Sequence, residues 1–464
     1  MALRGRADAM RRDGSTPEVI ARAMHAARRQ LCQVFKEQTP EPQRTRIFER
    51  TRAVYGDPLG PSVEFLRRQG KCWEHIIKSA SRPGRPPLEG CAQVTLGRLD
   101  MVTALLTLHS IQTRAVEVPM ARLLGTSAQT MNSAPILLID MQTEEGIVGR
   151  AYLFCYTRMA PGLIATVLAD IADALHGERI APVDFSNRLS QRYRLLGAQG
   201  IVRMALAGFD VACWDGLSQA AGLPLASYIG SQPRLIQAYN SNGLGFMPPE
   251  QAADEAEALL EQGFRAVKLR LGRPTAEQDL AVVRAVRRRL PDSVALMVDY
   301  NQALTVTEAI RRGQVLDNEG LYWIEEPTRH DDYAGCGRIA TALATPVQIG
   351  ENFSGPPAMA AALTNGVCDY VMPDLERIGG ITGWQRAAAI ASAVGIEMSS
   401  HIFPEVSAHL LAATPTCHWL EYVDWAAPIL AEPLRIVEGM AQVPERPGTG
   451  VSWDEDAVKC YGIA

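Results

Sequence analysis

Residues 294–327 read VALMVDYNQALTVTEAIRRGQVLDNEGLYWIEEP, two short apolar runs separated by an amphipathic segment. Runs of this length and β-branched content are typical of buried strands, and the segment between them has helical spacing. Similar runs occur at RAVKLRL (265–271), TPVQIGE (345–351), YVMPD (370–374) and IEMSSH (396–401). This alternation predicts a parallel sheet with crossover helices, and six or more units in series favour a closed TIM-type barrel.

A doubly wound open sheet is the weaker alternative for these residues. It would account for the same alternation of strands and helices. However, no GxGxxG sequence follows the first strand, so its dinucleotide-binding form lacks the expected fingerprint.

Three acidic residues end successive predicted strands. Asp299 ends VALMVD, Glu325 ends LYWIE and Glu351 ends PVQIGE, at equal intervals of one strand–helix unit. In a parallel barrel the carboxyl ends of the strands share the face that holds active sites. Capping of the following helices explains one such residue, but not three in register. Three converging carboxylates require a cation, and ligands made only of oxygen favour a hard ion such as Mg²⁺.

The same register continues with a possible general base. Asp374 ends YVMPD and His401 ends IEMSSH, so the two side chains are expected side by side, with the imidazole oriented by the carboxylate. Lys268 and Arg270 alternate on RAVKLRL and are expected to face inward together. Inward cations need an anionic partner, which a substrate or the acids would supply.

The chain divides into regions that differ in composition and in predicted secondary structure. Residues 1–105 are Arg-rich, with helical stretches at 19–35 and 63–80 and breaks at TPEPQR (39–44) and SRPGRPPLEG (81–90). Residues 106–234 predict an α+β domain that contains a hairpin around the TEEG turn. Residues 235–430 hold the barrel pattern, and residues 431–464 form a C-terminal segment.

Charge and cysteine content exclude several classes of protein. Residues 1–100 contain 19 Lys and Arg against 11 Asp and Glu, whereas the rest of the chain contains 27 against 40. An acidic main body favours a cation-binding enzyme and argues against a nucleic-acid partner. No apolar run is long enough to span a membrane, and the nine scattered cysteines favour a reducing compartment, so we expect a cytoplasmic protein.

From about residue 103 to the C-terminus, the chain resembles the enolase superfamily, and within it the mandelate racemase and muconate lactonizing enzyme group, most of all the mandelate racemases. The motifs that carry the resemblance are GFRAVKLRLG, MVDYNQAL, WIEEPT, IGENFSGP, MPDLERIGGITGW and MSSHIFPEVSAHLLAATPTCHWLE. The resemblance implies a modified (β/α)₇β barrel with an α+β cap, to which the C-terminal segment returns. Because such enzymes usually begin near Met101, residues 1–105 are expected to be an atypical extension, helical or disordered, from a misassigned start or a fusion.

The resemblance also implies roles for single residues. Asp299, Glu325 and Glu351 correspond to the Mg²⁺ ligands, and His401 with Asp374 corresponds to the base on one face of the substrate. Glu421 corresponds to an acid that donates a hydrogen bond to the substrate carboxylate. The remaining matches are with residues that contact the substrate or line its pocket: Asn301, Lys268, Tyr156 and the cap loop from Leu124 to Met131.

One position departs from the family pattern. The second lysine of a Lys-x-Lys pair, the base on the opposite face, is Arg270 in this chain. Arginine stays protonated and is a poor proton acceptor. Arg270 therefore puts fast racemisation in question, while abstraction by His401 is unaffected.

The expected reaction is Mg²⁺-dependent removal of the α-proton of a 2-hydroxycarboxylate through an enediolate. Reprotonation would give a racemase or epimerase, and loss of a β-hydroxyl would give an acid-sugar dehydratase. Overall likeness favours the first outcome and Arg270 favours the second. A non-catalytic binding protein on the same fold is remote, because the acids and His401 are all present. The resemblance also implies a homo-oligomer, either an octamer or a dimer.

Overall fold

The computed structural model of the chain describes residues 3–37, 43–55, 57–80 and 105–463. It divides into two compact units, Met1–Leu99 and Asp100–Ala464. The break predicted at 81–90 and the alternative start at Met101 lie outside the described residues, as do residues 39–42 of the other break.

The first unit is helical in its described part. Its helices are α1 (Leu3–Arg12), α2 (Pro17–Glu37), α3 (Gln43–Tyr55), α4 (Val63–Arg68) and α5 (Trp73–Ala80). Ile20, Met24, Ile76 and Ile77 belong to its small buried core. The helix predicted over 63–80 is instead two helices, because Gly70 adopts φ +76° and ends the first of them.

The second unit begins with the α+β cap. Its antiparallel sheet contains β1 (Leu108–Gly125), β2 (Thr130–Thr143) and β3 (Val148–Phe154), in that order. The cap helices are α6 (Ala160–Leu175), α7 (Pro182–Arg192), α8 (Gly200–Ala220) and α9 (Leu225–Tyr228). Helix α8 packs so closely on β3 that a Cβ at Gly149 would lie 2.0 Å from the carbonyl oxygen of Ala212, so only glycine fits there.

Eight parallel strands close into the barrel. They are β4 (Leu235–Asn240), β5 (Ala266–Arg270), β6 (Ala295–Asp299), β7 (Leu321–Glu325), β8 (Val347–Ile349), β9 (Tyr370–Val371), β10 (Glu397–Met398) and β11 (Leu420–Tyr422). Strands β4 to β10 pair in sequence order, and β11 pairs with β4. A bridge between Met398 and Cys417 joins the two remaining edges. The predicted (β/α)₇β barrel is confirmed, and the open doubly wound alternative is wrong.

The barrel helices show that the three strand-end acids are not helix caps. The helices are α10 (Pro249–Ala258), α11 (Ala276–Arg289), α12 (Val306–Leu316), α13 (Tyr333–Ala342), α14 (Pro356–Thr364), α15 (Leu375–Ile378), α16 (Gly380–Val394) and α17 (Pro404–Ala413). The residues after β6, β7 and β8 that cap the next helices are Thr305, Asp332 and Gly355. Asp299, Glu325 and Glu351 are therefore available for another purpose.

The C-terminal segment contacts the cap. It contains β12 (Ile436–Val437), β13 (Met440–Gln442) and α18 (Glu455–Tyr461), and β13 pairs with β4. The indole nitrogen of Trp453 donates to Asp140 of β2, and the amide of Ile463 donates to the carbonyl of Ala115. Within the described residues, no helix combines the length and apolar character needed to cross a membrane.

Candidate active site

One cavity of about 180 Å³ at the carboxyl ends of the strands gathers most of the predicted residues. Eight of the ten predicted site residues line it: Tyr156, Lys268, Arg270, Asp299, Asn301, Glu351, His401 and Glu421. The other two lie directly behind it, since Asp374 contacts His401 and Glu325 contacts Lys268. The cap closes one side through residues of the predicted loop, including Leu124, Gln129 and Met131.

A buried lysine holds the acids at the base of this cavity. The Lys268 ammonium lies 2.6 Å from Glu325 Oε1, 2.7 Å from Glu421 Oε1 and 3.5 Å from Asp299 Oδ2. Burial alone would lower the pKa of Lys268, but the three carboxylates raise it well above its usual range. Glu325 is fully buried, and its second oxygen accepts from the indole of Trp323.

Asp299 and Glu351 still repel each other, although Lys268 lies 3.5 Å from Asp299 and Arg377 lies 3.4 Å from Glu351. Burial raises the pKa of Asp299, and the nearby Glu351 carboxylate raises it further. Among the described residues, no three His, Cys, Asp or Glu side chains are already arranged so that they could hold a metal ion. Two buried acceptors without a hydrogen-bond partner, Glu326 Oε2 and Asn301 Oδ1, belong to residues that line this cavity. Unpaired carboxylate and amide oxygens beside further acids fit a hard divalent cation.

Glu326 is a site residue that the sequence analysis missed. It is 1% exposed, lines the cavity and receives one hydrogen bond, from the Asn352 amide at 2.9 Å. Burial and the Glu351 carboxylate raise its pKa well above the usual range. The doubled acid in WIEEP was the signal that could have identified it.

His401 and Asp374 form the expected pair. The Nδ1 atom of His401 lies 2.7 Å from Asp374 Oδ2, and Nε2 faces the cavity at 3.2 Å from Glu351 Oε2. Asp374 is fixed in turn, because its Oδ1 accepts from the backbone amides of Glu376 and Arg377 at the start of α15. Burial lowers the pKa of His401, but the carboxylates of Glu351 and Glu421 raise it well above 6.5.

Arg270 has a different environment from the one expected for an inward cation. Its Nη1 donates to the carbonyls of Ser241 and Gly243 at 2.8 and 2.9 Å, and Nη2 donates to the Ser241 hydroxyl. These contacts are to the loop after β4, and no carboxylate pairs with Arg270 in the described part of the chain. Both Lys268 and Arg270 are cations here, so neither of them supplies a base on the wall opposite His401.

Glu421 accepts hydrogen bonds from several donors. Its Oε1 accepts from the Ser241 hydroxyl and from Lys268, and its Oε2 accepts from the backbone amide of Ile402 at 3.0 Å. Burial raises its pKa, but Lys268 and His401 outweigh burial and lower the pKa to about 2. Glu421 is thus a carboxylate in this structure. The donor role that the resemblance implied requires a proton on it and stays a prediction.

Backbone strain is concentrated at the cavity. Nine non-glycine residues of the described ranges have positive φ, and five of them line it: Tyr156, Asn301, Gln302, Glu326 and Ile402. Each such conformation costs about 1–3 kcal/mol and persists only where the surroundings enforce it. The β-branched Ile402, at φ +38°, is the least expected of them.

One wall of the cavity is apolar and includes two aromatic rings. The rings of Phe154 and Trp425 lie 5.0 Å apart, and Leu124, Met131 and Ile402 complete the wall. The tip of the β1–β2 hairpin is attached to the barrel, because the Ser127 hydroxyl donates to the carbonyl of Tyr300 at 2.9 Å. Ser127 belongs to the cap loop that the resemblance had indicated, whereas Trp425 had no signal in the sequence, since it is brought here only by the tertiary fold.

Two other histidines, His409 and His418, lie away from the cavity lining, the first buried and the second half-buried, and this fits a structural role. His409 accepts from the amide of Ala226 through Nδ1, and its Nε2 donates to the carbonyl of Thr449. Burial lowers the pKa values of His409 and His418 to about 4. In the unfolded chain both should titrate near 6.5.

We therefore expect these histidines to destabilise the fold in acid. Between about pH 6.5 and 4 the unfolded chain binds protons that the folded chain does not, so the free energy of unfolding falls as the pH falls. For the His409→Gln variant, the loss between pH 7.5 and 5 should be about 2 kcal/mol smaller than for wild type. Urea unfolding at the two pH values measures this, and parallel losses in the two proteins would contradict it.

Comparison with known proteins finds family matches to the cap and to the barrel. Residues 109–230 match the description Mandelate racemase / muconate lactonizing enzyme, N-terminal domain, and residues 251–457 match Enolase C-terminal domain-like. The chain is 32% identical over 347 residues to the L-talarate/galactarate dehydratase of Salmonella typhimurium, covering 74% of this chain and 86% of that protein.

Two solved structures are also similar. An enolase from the alpha proteobacterium BAL199 with bound magnesium is 42% identical, at a TM-score of 0.76 over 77% of this chain and 100% of its own. An enolase from Bradyrhizobium complexed with magnesium and mandelic acid is 40% identical, at a TM-score of 0.75 over 78% of this chain and 99% of its own.

Proposed function

The chain belongs to the mandelate racemase / muconate lactonizing enzyme group of the enolase superfamily, and from that premise we propose that it removes the α-proton of a 2-hydroxycarboxylate through an enediolate. The observation that carries this proposal is the His401 imidazole, held by Asp374 at one end and facing the acidic cavity at the other. A racemase or epimerase is the outcome we propose first. That the protein forms a homo-oligomer stays a prediction.

Proton transfer is the step assigned to His401. The neutral ring accepts the α-proton at Nε2, while Asp374 keeps Nδ1 protonated and stabilises the imidazolium that forms. The neutral form requires that a bound cation offset the Glu351 carboxylate, which otherwise raises the pKa of His401. The negative charge that develops on the substrate carboxylate is met by the Lys268 ammonium, and by Glu421 if it is protonated when substrate binds. The unpartnered Asn301 Oδ1 is free to accept a hydrogen bond from the 2-hydroxyl.

Magnesium is the cofactor, as in the similar structures that contain it. In this chain Asp299, Glu325 and Glu351 would hold it, with Glu326 beside them. When bound, it supplies positive charge that offsets the acids and stabilises the enediolate.

The apolar wall supports a substrate with an aromatic or bulky apolar group at C2. Phe154, Trp425, Leu124 and Met131 offer few hydrogen bonds to the hydroxyl groups of a sugar acid. The mandelic acid bound to the Bradyrhizobium protein carries a phenyl group at C2, a substituent of this kind. An aryl acid without a β-hydroxyl cannot be dehydrated, so this wall favours the racemase outcome.

A dehydratase is the second candidate, because of Arg270. Loss of a β-hydroxyl needs no base on the face opposite His401, and Arg270 supplies none. The similar Salmonella protein is a dehydratase by name. The two candidates differ in product, so they can be distinguished directly.

The test is an assay in D₂O with Mg²⁺ and a panel of acids. The panel contains mandelate, ring-substituted mandelates, gluconate, galactarate and talarate, and ¹H NMR follows both loss of the α-proton signal and appearance of a 2-keto acid. Exchange without keto acid supports the first candidate, and keto acid from a sugar acid supports the second. Absence of both reactions over the whole panel would overturn the proposal.

Arg270 leads to a specific prediction about the two enantiomers. Only the enantiomer whose α-proton faces His401 should exchange rapidly, and exchange should exceed racemisation by at least about 10²-fold, because the opposite face lacks a base. Arg270→Lys should narrow this ratio by restoring an amine that can lose its proton. Chiral chromatography of the exchanged acid measures the ratio, and equal exchange of both enantiomers by wild type would contradict the prediction.

A further inference from the structure

The segment that carries His401 is strained directly after the histidine. Ile402 and Phe403 have φ of +38° and +50°, and both are buried. Two consecutive bulky residues rarely adopt this conformation without support. The turn aims the Ile402 amide at Glu421 and starts α17 at Pro404. The position of the His401 ring therefore depends on whatever keeps this turn in place.

Part of the support is local. The Ser407 hydroxyl donates to the carbonyl of Ile402 at 3.0 Å, and the Ser407 amide donates to the carbonyl of Phe403 at 2.9 Å. Both contacts come from the first turn of α17, which follows the strained residues. They link the turn to the helix but do not fix the helix itself to another part of the protein.

Further long-range support, beyond the bond to Glu421, comes from the cap. The hydroxyl of Tyr152, on β3, donates to Glu405 Oε2 at 2.5 Å, and the Tyr152 ring packs against the Phe403 ring at 5.3 Å. Tyr152 and Glu405 are 7% and 5% exposed, so water does not readily replace either contact. One cap side chain thus holds both the strained residue and the helix that follows it.

The same cap strand lies beside the segment that carries Asp374. Glu376, two residues after Asp374, is 1% exposed. Burial raises the pKa values of Tyr152 on β3 and of Cys155 directly after it, and the nearby Glu376 carboxylate raises both further. Glu376 receives no hydrogen bond from Tyr152, whose hydroxyl donates to Glu405 instead. Strand β3 therefore faces the segments of both members of the His401–Asp374 pair.

We propose that Tyr152 and Glu405 are positioning residues, which hold His401 against Asp374 by bracing the strained turn from the cap. This inference rests on the proposed function, in which His401 is the base. Misplacement of a catalytic group by about 1 Å can cost 10²-fold in rate. The pair contacts neither the cavity nor the predicted magnesium ligands, so its loss should affect kcat and leave binding nearly intact.

The experiment compares Tyr152→Phe with a matched control in the full chain with magnesium bound. Tyr193 is also a cap tyrosine, and it donates to Asp170 at the same distance of 2.5 Å, but it does not contact the His401 segment. Tyr152→Phe should lower kcat for α-proton exchange by roughly 10–100-fold, with KM changed by less than about twofold. Tyr193→Phe should leave both constants unchanged. Glu405→Gln keeps an acceptor oxygen and should retain most of the activity.

An NMR readout makes the test independent of the substrate. With ¹⁵N-labelled histidine, the His401 Nδ1 proton should give a downfield signal from its bond to Asp374, which His401→Asn identifies. We expect Tyr152→Phe to shift or lose this signal and Tyr193→Phe to preserve it. An unchanged signal and kcat in Tyr152→Phe, or an equal loss in Tyr193→Phe, would overturn the inference. If wild type exchanges no acid, the proposed function fails, and the NMR comparison alone decides this inference.

Discussion

His401→Asn should lower the rate of α-proton exchange by roughly 10³-fold, within the range of about 10²–10⁴-fold that general bases contribute. His401 is the one group lining the cavity that is held by a dedicated carboxylate at one ring nitrogen while the other nitrogen faces the acids. Asparagine can keep a hydrogen bond to Asp374 but cannot accept a proton at neutral pH. The measurement is the ¹H NMR exchange assay in D₂O.

The control for this variant is His176→Asn. His176 is an exposed cap residue whose ring bonds to the carbonyl of His109. The His176→Asn variant should catalyse α-proton exchange at the wild-type rate. If His401→Asn retained more than about a tenth of the wild-type exchange rate while folded, another group would have to be the base, and the proposed mechanism would be wrong.

Asp299→Asn should remove most of the magnesium-dependent stabilisation together with the activity. At a magnesium concentration 100 times the wild-type Kd, binding adds about 2.7 kcal/mol to the free energy of unfolding. A variant that binds 100-fold more weakly gains only about 0.4 kcal/mol under the same conditions. The exchange rate should fall by at least about 10³-fold, because a catalytic cation supplies several kcal/mol.

Thermal unfolding with EDTA and with added Mg²⁺ measures this effect without any substrate. Glu319→Gln is the control, since Glu319 pairs with Arg284 on the surface. It should show the full magnesium-dependent shift of the wild type. An equal shift in Asp299→Asn would show that this carboxylate is not a ligand.

The barrel could be predicted because its strands are buried on both faces and therefore appear as continuous apolar runs. The regular spacing of Asp299, Glu325 and Glu351 then placed the site, since strand ends of a parallel barrel share one face. The pairing of Asp374 with His401 followed from the same register. These features depend on local sequence and on the fold class alone.

Other features depend on details that no periodicity carries. Simple alternation turns Glu326 away from the cavity, but its φ of +38° directs it back. Arg270 faces inward as expected, yet its partners are carbonyls of the loop after β4, whose position is set by tertiary structure. Trp425 reaches the cavity from beyond the last barrel strand.

The pairing of the last barrel strand with the first has a consequence for how the protein is made. The edge of the first strand is covered by β13 at Leu235–Gln237 and by β11 at Ala238–Asn240. During synthesis this edge and the edge of the seventh strand therefore stay unpaired until β11 has left the ribosome. Ser241 and Glu421, 180 residues apart, bond only at that moment. Until then the nascent chain has an incomplete site and two unpaired strand edges. We therefore expect that, when the protein is overproduced, chains whose barrel has not yet closed will aggregate.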